Sequence, residues 1–321
     1  MENTFDISKR YRKNAKKSES KLNNKKHLLF RVIIIFFLVI TIGTFGISAC
    51  IGWFLTHPVR KPVITTPDSL ALNYENIKFT SRGDNLTLKG WLIPASQSKK
   101  TIIFAHGYSN NRLQSDVPLL PIVKAVVNEG YNVLMFDFRN SGESEGHLTS
   151  VGEYEVNDLL GAIDYVKAKP EISEEIILFG FSMGASTAIL AGAREPSVTG
   201  VIADSPFSDL KVYLDNNLAK WTHLPPVPFN QAFLAVVPIL TDLKPGTVSP
   251  VREISQMNNR PVLLIHGESD MTIPLENSEI LQSAYPRAQF LRIPKAQHIQ
   301  CFATNQDLYF KTLFAFLERL I

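Results

Sequence analysis

Hydrophobic positions fall along this chain in two regimes. The first is one unbroken run, Val32–Leu55, without a single charged side chain. At ~1.5 Å per residue a helix of that length reaches ~36 Å, enough to cross a hydrocarbon core with some tilt. Trp53 sits near its far end, where an interfacial aromatic is favoured, and Pro58 stops the helix soon after. The second regime begins near Tyr74 and alternates short apolar runs with segments of helical periodicity. Glu75–Ser81 and Leu86–Pro94 flank Arg82-Gly-Asp-Asn85 and predict a hairpin. Thr101–Ala105, Tyr131–Phe136, Ile176–Phe179, Val198–Ala203, Pro261–Ile265 and Gln289–Ile293 predict buried strands. Asp116–Glu129, Val151–Lys169 and the segment after Ser182 predict helices, and Ala303–Leu320 predicts a closing amphipathic one. The alternation predicts an α/β domain, a mostly parallel sheet with helices on both faces. Pro206–Gln256 interrupts it with Trp221, Phe229, Phe233 and several prolines in short helical pieces. Inserted between two core strands, it predicts a small lid above their carboxyl ends. Either it lines the substrate site or it is a surface excursion packed on itself.

Charge sharpens the amino terminus. The formal net charge of +3 hides a split, because residues 1–31 hold ten Lys/Arg against three acids, leaving residues 32–321 at −4. Residues 1–27, lysine-rich and without apolar periodicity, are expected to be unstructured. The positive-inside rule keeps the basic tail in the cytoplasm and puts the chain after about residue 56 outside. The expected order is therefore a cytoplasmic tail (1–31), a transmembrane signal anchor (32–55), an extended proline-bearing stalk (56–73) and a globular domain (74–321) with its lid near 206–256. A cleaved signal peptide would have a shorter apolar region, and although Ile47-Ser-Ala-Cys50 resembles a lipoprotein processing site, the run continues past it through Leu55. Two cysteines, Cys50 and Cys301, exclude a disulfide framework. The seven histidines show no paired ligand spacing, so no metal is expected, and the serine chemistry considered below requires no cofactor. A mildly acidic body argues against nucleic acid. The expected partners are a membrane and a small ester, thioester or peptide substrate; oligomeric state is not set by the sequence.

Candidate chemistry centres on Ile176–Ala193. An apolar strand breaks at Gly180-Phe-Ser182-Met-Gly184 and continues as a helix of small residues. A serine between two glycines at a strand-to-helix turn fits a nucleophile elbow, where both glycines must lack side chains for the backbones to pass. Gly142-Glu-Ser144-Glu-Gly146 has the same spacing, but glutamates flank its serine and no apolar strand precedes it, so it predicts a polar loop.

The order His106-Gly107, Asp137-x-Arg139, Gly180-x-Ser182-x-Gly184, Asp270 and His298 resembles the α/β-hydrolase superfamily over roughly Tyr74–Ile321. More narrowly, it is similar to bacterial membrane-anchored hydrolases related to the serine aminopeptidase and bile-acid-CoA acyltransferase-like branches. The resemblance implies the α/β-hydrolase fold and, since a serine hydroxyl needs a base oriented by an acid, a triad of Ser182, His298 and Asp270. Asp270 ends the run from Leu263, and His298 lies five residues past Ile293. Asp204 is the main rival acid and Glu268 a weaker one. The Met183 amide follows the nucleophile and is one expected oxyanion donor. His106-Gly107-Tyr108 resembles the family's HGx element, which makes the Tyr108 amide the second and leaves His106 to orient the loop. Asp137-Phe-Arg139-Asn-Ser-Gly142 resembles the DxRGxG loop with Asn140 in place of a glycine; asparagine tolerates left-handed backbone, so the loop shape should be kept. Asp137 and Arg139 are expected to form a structural ion pair. The implied reaction is hydrolysis of a carboxylic ester or thioester, with peptide bonds second. The alternative from another class is a non-catalytic surface-binding protein on the same fold.

Overall fold

The buried runs assemble because a strand that is apolar on both faces needs a layer on each side. In the computed structural model, which describes residues 3–241 and 243–320, they form one eight-stranded sheet. The strands are β1 (Glu75–Thr80), β2 (Thr87–Ile93), β3 (Lys100–Ala105), β4 (Asn132–Phe136), β5 (Glu175–Phe181), β6 (Val198–Asp204), β7 (Val262–Gly267) and β8 (Gln289–Ile293). Their order is β1-β2-β4-β3-β5-β6-β7-β8; β2 runs antiparallel to both neighbours, and all later pairs are parallel. Side chains alternate across it. Ile103, Ala105, Ile176 and Leu178 join one core, while Ile102, Phe104, Ile177 and Phe179 join the other.

The helices, in chain order, are α1 (Asn3–Thr56), α2 (Leu119–Asn128), α3 (Glu155–Lys167), α4 (Met183–Arg194), α5 (Leu210–Thr222), α6 (Pro226–Thr241), α7 (Pro250–Glu253), α8 (Glu276–Ala284), α9 (Cys301–Thr304) and α10 (Gln306–Leu317). Helices α3, α4 and α8 pack on the first face, α2 and α10 on the second. The parallel strands match expectation to within a few residues. Helix α3 starts four residues later than expected, because Glu155 accepts from the Ser150 and Gly152 amides and from the Thr149 and Ser150 hydroxyls, curling the chain ahead of it. The closing helix is broken at Asn305, whose side chain accepts from the Leu308 amide at 3.1 Å and restarts it as α10. Helices α5 to α7 form the insertion between β6 and β7.

The amino-terminal region departs from expectation in two ways. The tail continues the helix, so that α1 is 54 residues long; its first two residues, Met1 and Glu2, lie outside the described residues. No proline or glycine occurs from Asn3 to Ile42, so nothing in that stretch breaks a helix that nucleates in the apolar run. The segment after α1 is extended but is not a free stalk. The Arg60 guanidinium donates to the Ser144 and Gly146 carbonyls, Asn111 donates to the Lys61 and Pro62 carbonyls, and Pro67 and Leu72 are buried. The last turns of α1 are docked as well. From residue 40 to the helix end only Thr44, Ser48, Gly52 and Thr56 are fully buried, one residue in every four.

Candidate active site

β5 delivers Ser182. The chain passes from Phe181 straight into α4, with Ser182 between them at φ 54°, ψ −119°. A non-glycine residue held there costs about 1–3 kcal/mol and persists only where its surroundings impose it. The two glycines do so: a Cβ on Gly180 would lie 2.1 Å from the Gly184 carbonyl oxygen, and one on Gly184 would lie 2.1 Å from that of Ala105. The turn is thus pressed between β3 and α4, with the Ser182 amide donating to the Asp204 carbonyl at 2.8 Å.

Two further loops converge on this turn. His298, after β8, has Nε2 2.9 Å from Ser182 Oγ and Nδ1 2.7 Å from Asp270 Oδ2. Facing a carboxylate, Nδ1 carries the proton, and Nε2 accepts from the serine hydroxyl. Asp270, after β7, is buried, and its Oδ1 accepts the Thr272 and Ile273 amides at 2.8 Å each. Burial alone would push this carboxyl up, but hydrogen bonds from His266 and His298 outweigh it and hold the group at about 2. His266 was not singled out from the sequence. Its Nε2 lies 2.8 Å from the Ile273 carbonyl and 3.3 Å from Asp270 Oδ2, so that nitrogen bears the proton, while Nδ1 sits 2.7 Å from Ser278 Oγ. A histidine inside an apolar strand run was the available signal, since a buried polar group must find partners.

Asp204, the rival acid, turns away from His298. It accepts from the Ser205 and Tyr309 hydroxyls at 3.0 Å each, and burial raises its carboxyl to about 6 despite them. Ser205 Oγ in turn accepts the Ile299 amide at 3.2 Å, so this turn supports the His298 loop from beneath. Glu268 is exposed. Ser144 is a buried loop residue whose hydroxyl donates to the Asp137 carbonyl and accepts from the Lys89 amide.

Of the amides expected to face an oxyanion, Met183 opens α4, where the first N–H groups lack helical partners and the dipole is positive. Tyr108 lies on the loop after β3. The side chain of Gln114 accepts the Gly107 amide at 2.5 Å, which leaves Tyr108 as the next amide on this loop, and a Cβ on Gly107 would lie 3.4 Å from Ser182 Cβ. His106 is buried, with Nδ1 donating to the Gly107 carbonyl at 2.8 Å and Nε2 accepting the Phe138 amide at 3.0 Å. Burial lowers its pKa, which fits a neutral structural ring. The expected Asp137–Arg139 pair is not formed. Asp137 instead takes the buried Arg112 guanidinium at 2.5 Å and the Arg112 and Glu143 amides, whereas Arg139 pairs with Asp158 and Asp84. Each therefore finds its partners elsewhere in the chain rather than two residues away. Asn140 holds the left-handed conformation at φ 53°.

Beside Ser182 and His298 opens a cavity of about 340 Å³. The lid supplies Tyr213, Leu214 and Trp221 to its wall, and Tyr108 and Ile299 add to it. Leu55, in the last turn of α1, lines it too, and its carbonyl accepts the Tyr108 hydroxyl at 2.7 Å.

The geometry has counterparts. The family model described as serine aminopeptidase, S33, matches residues 96–240. Uncharacterized protein YqkD of Bacillus subtilis is 32% identical over 241 residues, 73% of this chain and 76% of that protein. The esterase Pf2001 of Pyrococcus furiosus superposes with a TM-score of 0.70 at 28% identity, over 83% of this chain and 98% of that one. The chain belongs to the α/β-hydrolase superfamily. Within that superfamily, YfhR of Escherichia coli K12 is 28% identical over 301 residues, covering 90% of this chain and 93% of its own. This α/β-hydrolase has a mostly parallel eight-stranded sheet and a helical insertion after β6, and among the described residues one helix is long and apolar enough to cross a membrane. The comparisons support a hydrolase in general terms.

Proposed function

We propose that this hydrolase cleaves carboxylic esters or thioesters by a serine mechanism while held at a membrane by α1. The observation that carries the reading is the unbroken hydrogen-bond chain Ser182–His298–Asp270 at 2.9 and 2.7 Å, on a strained elbow beside a cavity. Ser182 Oγ attacks the carbonyl carbon as His298 Nε2 takes its proton, and ionised Asp270 stabilises the resulting imidazolium. The developing oxyanion falls between the Met183 and Tyr108 amides; losing one such donor typically costs about 100–1000-fold in rate. The proton on Nε2 passes to the departing alkoxide or thiolate and leaves an acyl-Ser182. A water, deprotonated by the same nitrogen, then releases the acid. Localisation follows the charge pattern, with α1 as an uncleaved signal anchor, the basic tail in the cytoplasm and the catalytic domain outside.

Fluorophosphonate labelling tests the chemistry. Wild-type protein is expected to label and Ser182→Ala to lose the label, whereas equal labelling of both would sink the serine mechanism and no labelling of either would favour a non-catalytic role. A panel of matched ester, thioester and amide substrates then separates an esterase from a peptidase.

A further inference from the structure

The lid is packed on the helix that carries the membrane signal, and that contact places the lid. Helix α6 lies against α1 over residues 40–52. A cleft of about 390 Å³ separates Thr41, Thr44 and Phe45 from Gln231, Ala232 and Ala235, and Ser48 Oγ donates to the Phe229 carbonyl at 3.3 Å. A Cβ on Gly52 would lie 2.2 Å from Val237 Cγ2, so the helices touch at the backbone of α1. Small residues at every fourth position, here Thr44, Ser48 and Gly52, are how membrane helices approach so closely.

The outer face of α6 has the composition of a membrane surface. No Asp, Glu, Lys or Arg occurs from residue 224 to 241. Phe233 and Val237 turn into the core, but Val227, Ile239 and Leu240 are 70%, 81% and 50% exposed. A helix facing water carries charge on its outer stripe. This one carries none, and the helix beside it is uncharged over the same span. Two helices in lateral contact share a depth, so lipid around Ile40–Phe45 of α1 also reaches the part of α6 that touches them.

We propose that α6 is seated in the bilayer beside α1 and that the cavity at Ser182 is fed with acyl esters from the membrane. The proposal rests on the reading of the protein as a serine hydrolase anchored by α1, and it names the source of the substrate. Leu55, one turn beyond Gly52, forms one wall of the cavity; Trp221, at the end of α5 and just before α6, forms another and is 44% exposed. The acyl pocket therefore lies between the end of the membrane helix and the start of the embedded lid helix. A lipid moving up along α1 reaches Ser182 by way of these two side chains.

The test uses full-length protein in phosphatidylcholine–phosphatidylglycerol vesicles. One sample carries an environment-sensitive fluorophore on the native Cys50, which is exposed on α1; the other carries it at Ile239→Cys in a Cys50→Ser background, Cys301 being buried. Quenching of both labels by nitroxide on the lipid acyl chains supports the proposal. If the label at 239 responds to aqueous iodide alone while that at Cys50 responds to lipid, the proposal fails and the anchor stands; if neither responds to lipid, the anchor falls with it. The second readout is activity of Ile239→Asp/Leu240→Asp, two positions outside the cavity wall. Hydrolysis of a long-chain ester embedded in vesicles is expected to fall about tenfold or more, because an aspartate resists burial in lipid, while a soluble p-nitrophenyl acetate is turned over as by wild type. Equal loss on both substrates, or on neither, overturns the proposal, and a wild type that turns over neither ester overturns the hydrolase reading instead.

Discussion

Asp270 receives hydrogen bonds on both carboxylate oxygens, and its value of about 2 keeps it ionised throughout the range in which a serine hydrolase works. In the proposed mechanism it fixes which nitrogen of His298 carries the proton. Asp270→Asn keeps the shape but presents an amide in place of an oxygen, so the Nδ1 proton loses its acceptor and Nε2 no longer serves as the base. The expected result is a fall in kcat of about ten-thousandfold with the fold retained, measured on a soluble ester and by circular dichroism. A fall of only a fewfold would return the acid role to another carboxylate. Arg112 acts on stability rather than on turnover. It is buried against buried Asp137, and Arg112→Ala would leave that carboxylate without its cation, at an expected cost of about 3–5 kcal/mol in thermal or chemical unfolding. Ser182, Asp270 and His298 were legible because each follows an apolar strand run, and the carboxyl ends of such strands share one edge. The partners of Asp137 and Arg139 were not, since buried ion pairs are chosen by tertiary packing and nothing in local spacing ties Arg112 to Asp137 or Asp158 to Arg139.

At the level of elements, the unexpected feature is that the apolar helix α1, the insertion after β6 and the cavity beside Ser182 are contiguous. Composition revealed α1 because a charge-free run is a local property. Its docking stripe of Thr44, Ser48, Gly52 and Thr56 is visible only once a partner helix is known, because small polar residues within an apolar span also suit a lipid-facing helix. Helix α8 escaped for the opposite reason: Glu276–Ala284 offers only Ile280 and Leu281 as large apolar residues, too few to set a period. The packing gives a prediction that keeps the anchor while loosening the lid. In Gly52→Leu the new side chain meets Val237 and forces α6 away from α1. The variant should still insert in membranes, judged by carbonate extraction. Limited proteolysis should then cut between α5 and α6 sooner than in wild type, and turnover should fall because Leu55 and the lid share the cavity wall. Unchanged proteolysis would mean that this contact does not hold the lid.

Across the whole molecule, the sheet edge that assembles the candidate site also buries carboxylates, and Asp270 and Asp204 titrate in opposite directions. Asp270 lies below the ordinary carboxylate range, so its stabilising contribution is present above about pH 4 and is lost as pH falls toward 2. Asp204 lies above it, at about 6, because burial outweighs the hydroxyls of Ser205 and Tyr309. Between about pH 4 and pH 6 the folded protein therefore holds a proton on Asp204 that the unfolded chain has released. That contribution is full below pH 4 and disappears as pH rises through 6, so stability should decline across the window. Asp204→Asn removes the titration at nearly constant volume: the amide oxygen still accepts from Tyr309, and the amide nitrogen can donate to Ser205 Oγ. Thermal unfolding of wild type and variant in detergent at pH 4.5 and pH 7 isolates the effect, because every other titrating group is common to both. Wild type is expected to lose about 2 kcal/mol more than the variant between the two conditions. If the two proteins show the same slope, Asp204 is ionised in the folded state at both values, and the hydroxyls of Ser205 and Tyr309 compensate its burial in full.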